Sequence, residues 1–212
     1  MITLNNFIVE RLKLGKDTKV FQYKYHPKDL YELRDLLKQL LDERGPNADL
    51  NDIDVSQVTT FFIEEYGLWL FSNLDPHNID ISGWDVSNVE NMRCTFYNCP
   101  NFNCNLSRWN VSNVENMMGM FHTCENFTGD GLENWKPIKC KDMSCMFIGC
   151  KKFNCNLSKW DVSDVKDMVY MFDKCTNFTG DGLENWKPIK CKKIRHMFND
   201  CDSLKNYPSW YK

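Results

Sequence analysis

Cysteines are the residues of this sequence best suited to chemistry, because thiols bind metals, form disulfides and act as nucleophiles. The chain has eleven of them, and an odd number leaves at least one thiol unpaired within the chain. Two runs have a period of five: Cys94-Cys99-Cys104 and Cys140-Cys145-Cys150-Cys155. No Cys-x-x-Cys pair occurs, whereas structural zinc sites use closely spaced ligand pairs. The spacing therefore favours reduced thiols over a metal site or a disulfide framework.

The histidines and the Gly-Asp-Gly aspartates are the other candidates for chemistry. The four histidines are His26, His77, His122 and His196. They share no position in the repeat described below, so no Ser-His-Asp or Cys-His arrangement is evident. Asp130 and Asp181 suggest calcium, but one carboxylate per repeat is too few for a site with six to eight oxygen ligands, and a turn or bulge is favoured. The sequence predicts no catalytic residue, no metal and no cofactor.

An internal repeat must position all of these residues. Six tryptophans mark it at intervals of 25, 26, 25, 26 and 24 residues: Trp84, Trp109, Trp135, Trp160, Trp186 and Trp210. Methionine, phenylalanine and cysteine follow at fixed distances in most units, for example Met92, Phe96, Cys99 and Phe102 after Trp84. Such columns are the signature of a stacked-repeat protein. We expect these side chains to form its core.

A longer duplication of 51 residues lies over the short repeat. The segment 127–140 (FTGDGLENWKPIKC) returns unchanged at 178–191, and Asn-Cys-Asn-Leu-Ser occurs at 103–107 and at 154–158. The repeats therefore alternate between an Asn-Cys-Asn type and a Gly-Asp-Gly type. Duplication of a two-repeat unit explains this pattern without any functional site.

Each repeat reads as one strand and one short helix. The segment 102–106 alternates apolar and polar residues, which is the period of a half-buried strand. After Trp84, a Ser-x-x-Glu sequence resembles a capping box, and Val89, Met92 and Phe96 fall on one helical face. One strand and one helix in about 25 residues predict a coil like that of the leucine-rich repeats.

The positions of most cysteines in the repeat also indicate that they are core residues. Cys140 and Cys191 stand where other units have valine, and Cys104 and Cys155 stand where the first unit has isoleucine. Buried cysteine behaves as a small hydrophobe. Cys94 and Cys145 belong to a variable column that otherwise holds Gly119, Tyr170 and His196. This variability predicts two free surface thiols, too far apart for a disulfide.

The chain divides into a cap and an array. Residues 1–50 are predicted to form an N-terminal cap, with a strand over 20–25 and a helix from Pro27 to Arg44 that ends at Gly45. The apolar stripe of this helix is Leu30, Leu33, Leu37, Leu40 and Leu41. Residues 51–212 form one degenerate and five regular repeats, with an insertion placed within 63–70.

A partner-binding surface is predicted on the outward residues of the strands, on the concave face of the array. These residues are Asn78, Asp80, Asn103, Asn105, Thr128, Asp130, Asn154, Asn156, Thr179 and Asp181. The insertion is a second candidate through Tyr66, Trp69 and Phe71, because loops on a rigid scaffold often carry binding residues. The alternative for the first set is a solvated face with structural asparagine ladders.

The motif Trp-Asp-Val-Ser-Asn-Val-Glu-Asn-Met, followed by Met-Phe-x-x-Cys-x-x-Phe, resembles the BspA-like family, a branch of the leucine-rich repeats. Residues 48–56 resemble that family's usual lead-in. The resemblance covers about residues 27–210 and implies a right-handed solenoid without a shared enzymatic activity, often found in bacterial surface proteins and adhesins. With the predicted cap, the expected fold is an α/β, right-handed leucine-rich-repeat-like solenoid with a helical N-terminal cap.

The charge and composition of the chain narrow the range of possible functions. A net charge of −3 disfavours non-specific binding to nucleic acid, which requires an excess of lysine and arginine. No signal peptide and no apolar run of membrane-spanning length is visible, so the expected location is cytoplasmic, or extracellular if a signal was removed. The expected function is a monomeric, non-catalytic inhibitor or adaptor that binds another protein, without direct contact to nucleic acid or membrane. A phage-type inhibitor of a host nucleic-acid enzyme and a fragment of a surface adhesin are the alternatives.

Overall fold

The computed structural model describes residues 22–74 and 76–211. Regular secondary structure in these residues is confined to one α-helix, one two-stranded antiparallel sheet and three short 3-10 helices. The helix and strands are α1 (Leu30–Arg44), β1 (Phe62–Ile63) and β2 (Leu68–Trp69). The 3-10 helices are Glu64–Tyr66, Leu132–Asn134 and Leu183–Asn185. The remaining described backbone consists of turns, isolated bridges and coil.

The predicted α/β leucine-rich-repeat-like solenoid is therefore wrong. Neither the expected strand at 102–106 nor the expected helix around Val89–Phe96 forms, and both segments are turns or coil. The burial of the side chains at 102–106 nevertheless follows the alternation of apolar and polar residues, with Phe102 and Leu106 buried and Asn105 exposed. Alternating hydrophobicity thus indicated the inward and outward side chains correctly, but not the backbone conformation.

Single parallel bridges join each repeat to the next. They occupy one column of the repeat and connect Thr60, Asn91, Asn116, Asp142, Asp167 and Lys193 in that order. In five of these positions the side chain also accepts the backbone N–H two residues ahead, at 2.9–3.1 Å: Thr60, Asn91, Asn116, Asp142 and Asp167. This local turn bends the chain out of the extended conformation, which limits each bridge to one residue.

A ladder of turns follows each bridge and links neighbouring repeats. The N–H groups of Met92, Phe96 and Asn98 donate to carbonyl groups of the next repeat at 2.8–2.9 Å. Between these bonds the chain turns back on itself, as in the bond from the Tyr97 N–H to the Cys94 carbonyl. The same pattern recurs in the following repeats. An α-helix could not make these connections, because it uses its N–H groups within its own backbone.

Left-handed backbone conformations make this ladder possible. Cys94 and Asn98 have φ angles of 54° and 58°, and the equivalent positions in later repeats are also positive. Two of those equivalents are Gly119 and Gly149, the residue type that adopts positive φ without steric cost. Two left-handed residues four positions apart in each repeat interrupt the i→i+4 pattern of an α-helix, so the predicted helices do not form.

Stacked aromatic columns form the core. Rings of neighbouring repeats are 6.0–6.5 Å apart in the tryptophan column and 5.3–5.7 Å apart in the column of Phe71, Phe96, Phe121, Phe147, Phe172 and Phe198. Each tryptophan from Trp84 to Trp210 also donates its indole N–H to a carbonyl of the preceding repeat, as Trp135 does to Leu106. Each ring therefore adds packing and a hydrogen bond to the same interface.

Helix α1 covers the first repeats, as the leucine spacing predicts. Asp29 caps its N-terminus by accepting the Glu32 N–H at 2.9 Å, and Gly45 follows its end with a φ of 84°. Leu30, Leu33, Leu37 and Leu40 are buried in the common core, and Leu41 is partly buried. Of the strand predicted over 20–25, only residues 22–25 are described, and they contribute a single parallel bridge between Tyr25 and Ile53.

Candidate functional site

Two equivalent polar grooves lie where Gly-Asp-Gly repeats meet Asn-Cys-Asn repeats. Groove 1 has a volume of about 380 Å³. Its lining residues are Asn105, Thr128, Gly129, Asp130, Gly131, Glu133, Asn154, Cys155 and Asn156. Groove 2 has a volume of about 610 Å³. Its lining residues are Asn156, Thr179, Gly180, Asp181, Gly182, Glu184, Ser203, Lys205 and Asn206. The grooves share Asn156 and are related by the 51-residue duplication.

Glycines in left-handed conformations build one wall of each groove. Gly131 has a φ of 96°, and a Cβ atom there would lie 2.3 Å from the backbone nitrogen of Ser107. Gly182 repeats this arrangement, with a φ of 90° and a Cβ position 2.5 Å from the nitrogen of Ser158. Only a residue without a side chain allows the two backbones to approach this closely. The turn predicted at these segments is confirmed.

Asparagine side chains hold neighbouring repeats in register beside the grooves. The Oδ1 atom of Asn103 accepts both the N–H and the hydroxyl of Thr128 at 3.0 Å. Asn154 binds Thr179 in the same way, at 3.0 and 2.9 Å. Asn105 instead accepts the N–H of Ser107 at 2.9 Å. In each case the amide oxygen is occupied, which leaves the amide N–H₂ as the group able to bind a ligand.

In the grooves, carboxylates supply hydrogen-bond acceptors that complement these amide donors. Asp130 and Asp181 are exposed in the two grooves. Glu133 accepts the Gly131 N–H at 2.9 Å, which fixes its carboxylate against the groove wall. Each groove therefore offers amide donors and carboxylate acceptors side by side. This combination suits a ligand that carries both donors and acceptors, such as a peptide backbone or polar side chains.

The structure brings seven of the ten predicted strand-face residues into the two grooves. These are Asn105, Thr128, Asp130, Asn154, Asn156, Thr179 and Asp181. Asn103 does not line a groove but orders Thr128. Asn78 and Asp80 lie outside both grooves, and Asp80 is engaged by the N–H and hydroxyl of Ser82 at 3.0 and 2.6 Å. The predicted asparagine ladder and the predicted ligand surface thus use the same residues.

The insertion forms the β1–β2 hairpin, with register pairs Phe62–Trp69 and Ile63–Leu68. Tyr66 at its tip is 65% exposed, and Trp69 is half-buried with its ring 5.4 Å from that of Tyr97. Phe71 is 1% exposed and belongs to the phenylalanine column. Of the three predicted residues, Tyr66 and Trp69 are accessible to a partner, whereas Phe71 is part of the core.

One arginine anchors this hairpin to the cap. The guanidinium group of Arg34 donates to the carbonyl oxygens of Trp69, Leu70 and Ser72, the last at 2.8 Å. Burial lowers the pKa of Arg34. Three carbonyl acceptors offset part of the cost of desolvating the charge. The hairpin is therefore held as a fixed extension of the array.

Several groove residues were not predicted from the sequence. Glu133, Glu184 and the glycines belong to the unchanged segment, which we interpreted as a product of duplication. Lys205 and Asn206 come from the last repeat, where the repeat pattern is weak. The paired glycines flanking Asp130 and Asp181 were the available signal, because a Gly-x-Gly segment marks close approach of two backbones.

The cysteines lie in the packing of the array, and all eleven are free thiols. In the column 124, 150, 175 and 201 each thiol donates to a phenylalanine carbonyl of the preceding repeat at 2.9–3.0 Å. Cys94 and Cys145, predicted at the surface, are instead half-buried, and burial raises the pKa of each. Tyr170 and His196 of the same column are exposed, and the backbone of the whole column has positive φ.

Burial raises the pKa of other thiols as well. It raises the pKa of Cys104 to about 11 and the pKa values of Cys140, Cys155 and Cys201 to about 12. A nucleophilic cysteine requires the opposite, a lowered pKa. Among the described residues, no group of three or more His, Cys, Asp or Glu side chains could hold a metal ion.

These raised pKa values predict a loss of stability at alkaline pH. Unfolded thiols ionise near pH 8.5, whereas the folded thiols resist ionisation to higher pH. Stability is therefore complete below about pH 8.5 and falls as the pH rises towards the folded pKa values. Each such thiol lowers the free energy of unfolding by up to about 1.4 kcal/mol per pH unit in that window. Urea unfolding followed by circular dichroism below and above pH 8.5 measures the effect.

A matched control isolates the thiol contribution from that of other groups. Cys140 occupies the column that holds Val89, Val114 and Val165 in other repeats. The Cys140→Val variant should fold and should show a shallower decline of stability with pH than the wild type. An unchanged slope would show that the Cys140 thiol does not contribute to the decline.

A family model described as Mycoplasma protein of unknown function, DUF285, matches three overlapping segments, 32–131, 68–154 and 120–211. Together they span residues 32–211. This family is not the BspA-like leucine-rich-repeat family, so that predicted resemblance is wrong. No curated protein matches the chain, and no solved structure matches it. Within the described residues, no helix has the length and apolar character needed to cross a bilayer.

Proposed function

We propose that this chain, which belongs to the family described as Mycoplasma protein of unknown function, DUF285, is a non-catalytic module that binds another protein. The observation on which this proposal depends is the pair of equivalent grooves. Each presents unengaged amide donors and exposed carboxylates on a backbone held by inter-repeat hydrogen bonds. A rigid, repeated and solvent-exposed polar surface suits recognition of an extended partner.

The chemistry of the side chains supports binding rather than catalysis. Burial raises the pKa values of the Cys104, Cys140, Cys155 and Cys201 thiols to about 11 or 12. His122 has a lowered pKa because it is partly buried, and its ring lies 4.7 Å from that of Tyr97. Asp130 and Asp181 lie in separate grooves rather than as a pair around one reacting bond. These features favour an inhibitor or adaptor that acts by occupying a surface of its partner.

The thiols also support an intracellular site of action. All eleven cysteines are free, and seven of them are buried in the array. Proteins with many reduced cysteines are typical of reducing compartments. We therefore propose that the partner is a cytoplasmic protein and that it binds to the polar surface of the grooves.

Affinity capture with a charge-reversed double variant tests the proposal. We expect Asp130→Arg/Asp181→Arg to reduce retention of the partner from a bacterial lysate by at least about tenfold, a loss of about 1.4 kcal/mol in binding. Both side chains are exposed, so the fold should be unaffected. Mass spectrometry identifies and quantifies the retained proteins.

The matched control is Asp42→Arg/Glu90→Arg, which reverses two exposed carboxylates outside both grooves and outside the hairpin. It should retain the partner as the wild type does. Equal retention by the groove variant and the wild type would contradict groove binding. In that case Tyr66→Ala on the hairpin tests the second predicted surface.

A further inference from the structure

A second surface of the array exposes isoleucine among lysines. The sequence Lys-Pro-Ile-Lys-Cys-Lys occurs twice, at 136–141 and 187–192. Ile138 is 51% exposed although a repeat lies on each side of it, and Ile189 is 79% exposed. Leaving a large apolar side chain in water forgoes roughly 1.5–3 kcal/mol of burial free energy. The other repeat type has a serine in this position, at Ser87, Ser112 and Ser163, so the fold does not require isoleucine there.

Ile189 lies in a groove built largely from lysine side chains. The groove has a volume of about 620 Å³, and its other lining residues are Lys166, Asp167, Lys190, Lys192 and Lys193. We name it the lysine groove. Lysine presents an aliphatic stem below a charged ammonium group. An apolar floor with positive charges at the rim is the result.

Only some of these lysines are neutralised within the protein. Lys190 pairs with Asp164 at 2.6 Å and Lys193 with Asp167 at 2.9 Å. Lys166 and Lys192 have no carboxylate partner among the described residues. They are neighbours in one column, because the Lys192 N–H donates to the Lys166 carbonyl at 3.4 Å.

This column places like charges next to one another. Lys141 precedes Lys166 in it, and the Lys166 N–H donates to the Lys141 carbonyl at 2.8 Å. Glu115 neutralises Lys141 at 2.6 Å, which leaves the repulsion between Lys166 and Lys192 uncompensated. Directly opposed like charges destabilise a ladder. A bound anion at this position would remove the repulsion.

We propose that the lysine groove binds an acidic peptide segment that carries an apolar side chain. The apolar side chain packs against Ile189 and the lysine stems, and carboxylates on either side pair with Lys166 and Lys192. Charge complementarity and the apolar floor favour this partner over nucleic acid, since no aromatic or arginine side chain lines the groove to stack on bases. The site is separate from grooves 1 and 2 and does not depend on the function proposed for them.

Fluorescence anisotropy with a dye-labelled peptide of alternating glutamate and leucine tests the proposal on the full chain. We expect Lys192→Glu and Ile189→Ser each to weaken binding by about tenfold or more. Added salt should weaken binding to the wild type, because exposed charges are screened. The same peptide with glutamine in place of glutamate should not bind. Both substituted side chains are exposed, so circular dichroism should show an unchanged fold.

Ile138→Ser is the matched control from the equivalent turn, and it should bind the peptide as the wild type does. Equal losses in the Ile138 and Ile189 variants would overturn the lysine groove as the site. So would a Lys192→Glu variant with wild-type affinity. Tighter binding to phosphatidylserine-containing vesicles or to a single-stranded oligonucleotide would overturn the choice of an acidic peptide. Asp130→Arg/Asp181→Arg should leave peptide binding unchanged, which separates this site from the proposed function of the grooves.

Discussion

Replacing Trp135 with alanine should lower the free energy of unfolding by about 3–5 kcal/mol, the largest single effect we expect. The ring is 1% exposed and stacks on Trp109 at 6.4 Å and Trp160 at 6.1 Å. Its indole N–H is bonded to the Leu106 carbonyl at 3.0 Å, which would lose its partner. Urea unfolding followed by far-UV circular dichroism gives the free energy.

Two further variants separate the contributions of Trp135. Trp135→Phe keeps an aromatic ring but removes the indole hydrogen bond, so its cost should be about 1–2 kcal/mol. Trp210→Ala should cost less than Trp135→Ala, because Trp210 is half-buried and stacks on one tryptophan instead of two. A Trp210 variant as unstable as the Trp135 variant would contradict a stack in which each repeat is stabilised by its neighbours.

Substitution of Gly131 by alanine should cost about 3 kcal/mol and distort groove 1. A left-handed conformation costs a residue with a side chain about 1–2 kcal/mol, and overpacking costs about 1–3 kcal/mol more. The new Cβ atom would lie 2.3 Å from the nitrogen of Ser107, so the two repeats must separate. Urea unfolding measures the stability, and partner capture reports the damage to the groove.

Gly67→Ala provides the matched control for Gly131. Its φ of 57° and ψ of 36° are also left-handed, but a Cβ atom there would have nothing within 4 Å. We expect a cost of about 1–2 kcal/mol, from backbone strain alone, with groove 1 unchanged. Similar costs at the two glycines would show that close approach of the backbones contributes little to the groove.

The core of the array was predictable because its buried positions appear in the sequence as large apolar residues at regular intervals. The tryptophan and phenylalanine columns are core residues, as their spacing predicts. Helix α1 was predictable for a similar reason, since its leucine stripe is bounded by a polar residue before it and Gly45 after it. These features depend on side-chain hydrophobicity and local capping, and both can be read from one segment at a time.

The backbone of the repeats was not predictable by the same reasoning. Val89, Met92 and Phe96 have helical spacing, but Cys94 lies between them with a φ of 54°. A cysteine gives no sign of a left-handed conformation, because that conformation is stabilised by bonds to the next repeat and not by the residue itself. The equivalent Gly119, together with Gly149 in the column of Asn98, was the visible signal, and comparing columns rather than single repeats would have revealed it.

The candidate site was predictable in part for a related reason. Outward residues such as Asn105 and Asp130 follow from alternation within one repeat. The grooves themselves require two repeats, since Gly131 meets Ser107 and Asn103 binds Thr128 across the interface. A contact between segments about 25 residues apart cannot be recognised in the sequence of either segment alone. The shape of the site was therefore known only from the structure.

The bonds between unlike repeats determine how the gene can change in length. Asn103 binds Thr128 and Asn154 binds Thr179, so each Asn-Cys-Asn repeat fits the Gly-Asp-Gly repeat that follows it. Unequal recombination that adds or removes one repeat would place two like repeats together and break this matching. A change of two repeats, or 51 residues, preserves every column and adds or removes one groove. The number of grooves can therefore evolve in whole steps while the chemistry of each groove stays constant.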